Sequence, residues 1–236
     1  MARRRWIADE VSGNHAVLKG VHARHLSRVL RAKVGQEFDV VAGGEVRCGR
    51  ITEIGTDQVT FELGDAIPAA TQAKITMALS IFKFDRMEWA IEKCTELGVV
   101  RIVPVIAHRT DSHLAASSGK RVERWRRIAA QAAEQSRRIA PPEIDAPIRL
   151  PEAINLPQQL RIVLSESEKD VMLADAFAPG AEEAVLGIGP EGGWTDEELH
   201  EFRAGGWISA SLGGTILRAE TAAIAGLAVG LSAISR

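Results

Sequence analysis

The sequence is poor in cysteine, in long apolar runs and in net charge, and each shortage excludes something. Cys48 and Cys94 are the only cysteines in 236 residues, far apart and in no ligand-like spacing. The chain is long enough to bury a substantial core without metals or disulfides, so a reducing, cytoplasmic setting is expected. His15, His22, His25, His108, His113 and His200 have no cysteine partners and no metal-ligand spacing, so no metal is expected. The longest apolar stretch, Ala222 to Ile234, is shorter than the ~20 residues that span a bilayer. The basic cluster Arg3-Arg4-Arg5 has no apolar run behind it. Neither a membrane span nor a secretory signal is therefore expected. Internal repeats and low-complexity tracts are absent. Lys+Arg number 29 against 31 Asp+Glu, a net charge of −2, which by itself does not advertise a polyanion partner.

What is present is the composition of a globular chain, 46% hydrophobic and 25% charged, which excludes disordered, collagenous and coiled-coil classes. Residues 1–70 read as a small β-barrel or sheet domain. Short β-rich pieces at Glu37–Val41 and Gln58–Leu63 are separated by turn signals at Gly43-Gly44, Gly55 and Gly64-Asp65. A helix is expected over Ala23–Ala32, with Leu26, Val29 and Leu30 as its apolar stripe and Arg24, Arg28 and Arg31 opposite. Pro68, Ala69 and Ala70 read as a linker.

Residues 71–236 alternate strand-like and helical segments. Strands are expected at 75–82, 101–107, 161–165, 184–189 and 207–212, and helices at 85–97, 121–139, 170–176, 196–203 and 217–235. The first helix is expected to bury Met87, Ala90, Ile91, Cys94 and Leu97, and Gly98 to end it in the left-handed conformation. This alternation implies an α/β domain whose mainly parallel sheet is covered on both faces. Trp6, Trp89, Trp125, Trp194 and Trp207 are expected to be core or interface anchors, with Trp194 the exception because it follows a glycine loop.

The charge is unevenly spread. Residues 1–35 carry eight basic and two acidic groups, residues 120–138 seven and two, and residues 139–236 six and fifteen. In the second segment Arg121, Arg124, Arg127 and Arg138 are expected on one helix face, with Trp125, Ile128, Ala129, Ala132 and Ile139 on the other. A solvated helix face explains either segment alone. Together they fit a surface for a polyanion, because neutralising phosphates releases counterions.

Two stretches carry chemistry. Gly187-Ile188-Gly189-Pro190-Glu191-Gly192-Gly193 follows a strand, precedes a helix and formally contains G-x-G-x-x-G. A pyrophosphate needs backbone N–H donors at a helix N-terminus, but Pro190 has none and Glu191 adds a carboxylate. The motif also lies late in the chain, and no acidic residue ends the next strand, so a dinucleotide site is disfavoured. Thr195 through Glu198 fits a capping box that stops the loop. The second stretch, Leu212-Gly213-Gly214-Thr215-Ile216-Leu217-Arg218-Ala219-Glu220, opens an otherwise apolar helix with two charged residues. Burying such charges is costly unless they are paired or used.

Phe84-Asp85-Arg86-Met87-Glu88 leading to Lys93 through Val99, Arg124-Trp125, Ala133-Glu134-Gln135-Ser136, Ile188 through Gly193 and Ile216 through Ala222 together resemble the RsmE family. These are ribosomal RNA methyltransferases of the SPOUT class. His25-Leu26-Ser27-Arg28-Val29-Leu30-Arg31 resembles the family's start. The resemblance implies an N-terminal PUA-like β-barrel, a C-terminal SPOUT domain threaded into a trefoil knot, and a homodimer. It also implies S-adenosyl-L-methionine (SAM) as cofactor, bound by Leu164, Ser165, Glu166, Ile188, Gly189, Gly192, Gly193, Leu212, Gly213, Ile216 and Leu217. The implied reaction methylates N3 of one uridine in the 16S rRNA of the small ribosomal subunit. Arg218 is then expected to stabilise the uracil anion, while Glu191 or Glu220 accepts the proton or orients Arg218. A structural Arg218–Glu220 pair is the alternative. Arg3, Arg4, Arg5, Arg24, Arg28, Arg31, Arg121, Arg124, Arg127 and Arg138 are expected to contact RNA. Phe84 and Gly214-Thr215 depart from the family's usual residues. Other readings are a SPOUT methyltransferase for another RNA such as tRNA, a non-catalytic ribosome-assembly factor, and a nucleotide-dependent α/β enzyme.

Overall fold

The computed structural model describes residues 5–67, 74–177 and 180–234. Arg3, Arg4, the expected linker at Pro68 to Ala70 and the last residue of the expected final helix, Ser235, lie outside the described residues. The chain divides into two compact units, Met1–Thr71 and Gln72–Arg236.

In the first unit the strands are β1 (Arg5–Ile7), β2 (Glu10–Ser12), β3 (His15–Lys19), β4 (Glu37–Ala42), β5 (Glu45–Ile54) and β6 (Gln58–Ala66). They form one sheet in the order β1-β4-β5-β6-β3-β2, antiparallel except for the β1–β4 pair. Alternate residues face one core: Ala16 and Leu18 of β3 oppose Phe61 and Val59 of β6 and are buried with them. The sheet curls. Ala8 N–H bonds Val41 O of β4 and the next residue, Asp9, bonds Val17 O of β3, at 3.0 and 2.9 Å, so one short turn touches strands from both flanks. Gly49 permits the curl, because a Cβ there would lie 2.4 Å from Val40 Cγ2.

The helix expected over Ala23–Ala32 is shorter. A single α-turn, α1 (Gly20–Arg24), passes into a π-helical turn at His25–Val29. Leu30 N–H bonds His25 O at 3.0 Å, and Arg31 adopts φ +51°. The wider turn and the left-handed residue end the helix before Arg31, and Val29, expected in the apolar stripe, is exposed. Arg24 pairs with Asp57, Arg28 and Arg31 are exposed, and Arg5 lies in β1 opposite Asp39.

The second unit runs β7 (Lys74–Ser80), α2 (Phe84–Leu97), β8 (Arg101–Ile106), α3 (Ser112–Ser118), α4 (Val122–Gln135), β9 (Glu143–Ile144), β10 (Ile148–Arg149) and α5 (Leu150–Ile154). It continues with β11 (Leu160–Leu164), β12 (Glu183–Ile188), α6 (Asp196–Ala204), β13 (Ile208–Ala210) and α7 (Ala219–Ile234). The parallel sheet is ordered β10-β8-β7-β12-β11-β13, with β9 beside β8. One face packs on α2, α4 and α7 through Met77, Leu79, Met87, Ile91, Trp125 and Leu227. The other packs on α5 and α6 through Val103, Val163, Val185, Ala153, Phe202 and Trp207. Gly98 ends α2 at φ +117°, though Leu97 is exposed. Burial pushes the Cys94 thiol up to about 12, so it is an inert core group.

Three expectations need correction here. The segment 170–176 is not a helix, since only Leu173–Ala176 forms a 3-10 turn. The expected helix 121–139 stops at Gln135, where Ser136 Oγ donates back to Ala132 O at 2.7 Å and Arg137 takes φ +58°. Ile139 is therefore exposed. The basic face also dissolves into pairs. Arg138 is half-buried and donates to Thr95 O at 2.8 Å, and desolvation lowers its pKa. Arg124 grips Glu88 with two hydrogen bonds of 2.6 and 2.7 Å. Arg121 stacks on Phe84 at 4.6 Å, while Phe84 meets Trp125 edge-on. Phe84 thus has a packing role in this chain. Of the four arginines, Arg127 alone is exposed with no side-chain hydrogen bond or ion pair among the described residues.

Candidate active site

Three adjacent parallel strands, β12, β11 and β13, release their chains at the same edge of the sheet, and ligand crevices of open α/β sheets form outside such carboxyl ends. Here the three following loops enclose a cavity of about 290 Å³, close to the lower end of small-molecule sites.

The first loop begins at Leu164. Ser165 Oγ and Ser167 Oγ are 2.8 Å apart. Glu168 then receives the backbone N–H groups of Lys169, Asp170 and Val171 at 3.0, 2.9 and 3.3 Å. These bonds, the Asp170 N–H foremost, hold its carboxyl below the usual range.

The second loop, Gly189 to Gly193, turns back on itself through a 2.9 Å bond from Gly193 N–H to Pro190 O, with Gly193 at φ +70°. Arg109 braces it by donating to Gly192 O at 2.6 Å and Trp194 O at 3.3 Å. Thr195 and Glu198 form the reciprocal capping box. The buried Glu198 also accepts His108 N–H at 2.7 Å, joining the loop after β8 to α6. Trp194 is buried, and its indole N–H donates to Leu164 O at 3.1 Å. It is a strut between the first and second loops.

The third loop leaves β13 beside the first. Ser165 N–H bonds Ala210 O, Ser211 N–H bonds Val171 O and Leu173 N–H bonds Ser211 O. Gly213 lies at φ +121°, and neither it nor Gly214 has any neighbour within 4 Å of a would-be Cβ, so bare backbone faces open space.

The cavity is lined by Leu164, Ser165, Glu166, Ile188, Gly189, Gly193, Leu212, Gly213, Ile216 and Leu217 from the sequence-based set, and by Glu191. Gly192 does not line it, because Arg109 packs 3.3 Å from where its Cβ would be. Ile216 lines the rim while 82% exposed. Arg109, Ser167, Trp194, Asp196 and Leu199 also line it; the place of Trp194 directly after the glycine loop was the one signal in the sequence for any of these.

Arg218 and Glu220 do not line the cavity. Arg218 is exposed, and its side chain has no hydrogen bond or ion pair among the described residues. The Arg218–Glu220 pair weighed from the sequence does not form, since Glu220 faces Arg86. Arg86 Nη1 donates to Glu191 Oε1 at 2.9 Å and its Nε lies 3.8 Å from Glu220 Oε1. Sequence reasoning quoted Arg86 only within a family motif and did not single it out, because its partners lie 105 and more residues away.

This cavity suits a ligand held by backbone contact, with apolar walls and several carboxylates, and it is unsuited to a phosphate. Parallel α/β fold and loop pocket together define a class: residues 69–230 match the family described as RNA methyltransferase domain. A Ribosomal RNA small subunit methyltransferase E from Rickettsia conorii is 30% identical over 88% of this chain and 85% of its own length. The Synechocystis protein of that name is 35% identical over 86% of this chain and 68% of its own. The solved Ribosomal RNA small subunit methyltransferase E from Neisseria gonorrhoeae, bound to S-adenosyl methionine, superposes with TM-score 0.68 at 29% identity, covering 96% of this chain and 95% of that one. The chain belongs to the ribosomal RNA small subunit methyltransferase E family.

Among the described residues no helix is long and apolar enough to cross a membrane. Among them, too, no group of three His, Cys, Asp or Glu side chains is placed to hold a metal.

Proposed function

We propose that this chain methylates N3 of a uridine in the 16S rRNA of the small ribosomal subunit, using SAM. The observation that carries the reading is the glycine-rich cavity at the ends of β11, β12 and β13, in a chain of this family. The donor set fits the cofactor. Leu164, Ile188, Leu212 and Leu217 supply apolar walls, open backbone at Gly213 admits an adenine, and Glu166, Glu191 and Asp196 suit hydroxyl and cationic groups. SAM supplies an electrophilic methyl group, so no metal is needed.

The chain's own residues must bind, orient and deprotonate. N3 carries a proton on the Watson–Crick edge, so the base has to be unpaired or flipped out. Arg218, unpaired at the start of α7, is the group that meets negative charge on a uracil carbonyl. Glu191, which lines the cavity, accepts the proton; Glu220, buried against Arg86 and outside the lining, does not reach the base.

The first unit, residues 1–70, acts in this reading as a PUA-like RNA-binding barrel; its curled sheet supports that. Residues 71–236 are the SPOUT domain. Ladder bonds between 171–173 and 211, and the return of α7 to β7 and β12, support a chain end threaded into a trefoil knot. The enzyme works as a homodimer in the cytoplasm. The apolar α7 and the exposed Ile216 support a second subunit closing the rim.

Of the arginines expected to contact RNA, Arg28, Arg31 and Arg127 are exposed with no ion pair among the described residues, which leaves them for phosphates. Reversal of Arg127 to Glu should weaken binding to small subunits at low salt and reduce the log–log salt slope by about 1. Reversal of Arg124, already held by Glu88, should do less. Filter binding across a KCl series measures both, and an unchanged slope for Arg127→Glu removes it from the footprint.

The function itself is tested by incubating the protein with labelled SAM and small subunits lacking the modification, then mapping the methylated base. Label at N3 of one 16S uridine is expected; absence of transfer to 16S rRNA refutes the reading.

A further inference from the structure

Arg86 lies in the first turn of α2 and lines no part of the cavity, yet it joins two carboxylates from two other elements. Glu191 comes from the loop after β12 and Glu220 from the first turn of α7. The two partners differ in kind. The Arg86 and Glu191 side chains are 33% and 37% exposed, so that pair contributes little to stability by itself. The Glu220 side chain is 7% exposed, and its Oε2 is buried with no hydrogen-bond partner among the described residues. A buried charge in that position is costly unless it is paired. One guanidinium meets it by contact at 3.8 Å while spending its hydrogen bond on Glu191 at 2.9 Å. Glu220 therefore keeps an unused acceptor.

We propose that Arg86 is a positioning residue: by holding Glu220 inside and Glu191 at the cavity rim, it sets the second glycine loop against the start of α7. Arg218, two residues before Glu220, is placed by the same contact. This rests on the methyl-transfer reading for its consequence but not for its geometry, and the test separates the two.

The full chain is compared with Arg86→Gln, Arg86→Lys and the double variant Arg86→Gln/Glu220→Gln, which leaves no buried unpaired charge. Single-turnover transfer to small subunits, SAM affinity by equilibrium dialysis and hydrogen exchange are measured. Arg86→Gln should slow transfer by roughly 100-fold, the scale of a small misplacement of reacting groups, with SAM affinity nearly kept. Arg86→Lys should recover most of the rate. The double variant should fold and stay slow. Exchange should rise at 189–193 and in the first turn of α7 but not in α6.

Unchanged exchange in Arg86→Gln overturns the proposal whether or not the chain methylates RNA. So does a wild-type rate in that variant, or equal loss in Gln and Lys with exchange rising throughout the unit, which would make Arg86 a general stabiliser. A wild-type chain inactive on small subunits, with the exchange change still seen, refutes the functional reading and leaves the positioning role standing.

Discussion

Replacing Arg218 with Ala should lower single-turnover methyl transfer by a factor on the order of 10²–10³, the usual effect of removing one preorganised donor to a developing anion. SAM affinity and thermal stability should barely change. Each part follows from where the side chain sits. Arg218 is exposed, its side chain has no hydrogen bond or ion pair among the described residues, and it does not line the cavity. Truncating it leaves no buried partner unsatisfied and removes no wall of the pocket. Its neighbours Leu217 and Ala219 do line the cavity, so in the proposed reaction the guanidinium starts beside the cavity wall. Removing the N3 proton spreads charge over the uracil carbonyls, and a planar fork of donors meets that charge better than a point cation. Arg218→Lys should therefore fall between the wild type and Arg218→Ala. Single-turnover rates at saturating SAM, with equilibrium dialysis for affinity, measure the split. Near-normal turnover in Arg218→Ala removes the residue from the mechanism, and a parallel loss of SAM affinity reassigns it to cofactor binding.

How much of this was legible in the sequence depended on range. The helix α2 could be read because Met87, Ala90, Ile91 and Cys94 fall at helical spacing and Gly98 supplies the left-handed stop. The parallel strands could be read as short apolar runs, and the capping box at Thr195 from spacing alone. The strand β5 was not legible: Arg47, Arg50 and Glu53 interrupt its alternation, and two register irregularities shift its period. The π-turn at His25–Val29 was hidden because helical spacing persists through Leu26 and Leu30 while the hydrogen bond lengthens to i→i+5. The site divides the same way. Its glycine loops announce themselves locally, whereas Arg86 meets Glu191 across 105 residues and Arg109 meets Gly192 across 83. Charge counts found basic segments but could not tell a free arginine from one already spent. Arg124 and Glu88 are 36 residues apart, and Arg138 and Thr95 are 43 apart. The basic surface is therefore smaller than the charge count implied.

Trp194→Ala should have the opposite signature to Arg218→Ala, losing cofactor affinity and stability together. The indole is buried, its N–H donates to Leu164 O at 3.1 Å, and its ring meets Phe202 at 4.9 Å, which in turn meets Trp207 at 4.9 Å. Truncation opens a void in that aromatic row, and large-to-small changes of buried aromatics cost about 3–5 kcal/mol. It also removes the strut holding the second loop to the first. Gly189 depends on the same ring, since a Cβ there would sit 3.3 Å from the indole nitrogen. The walls of the cavity would then no longer be held at one spacing, and binding would have to reorder them. Trp194→Phe separates the contributions. It keeps part of the ring packing while deleting the hydrogen bond, which is worth about 1 kcal/mol, so its melting temperature should fall less than that of Trp194→Ala. If the two loops are held chiefly by the bond to Leu164, SAM affinity in Trp194→Phe should drop nearly as far as in Trp194→Ala. If packing holds them, affinity should follow the melting temperature. Wild-type SAM affinity in Trp194→Ala, measured well below its melting point, would show that the strut does not set the cavity.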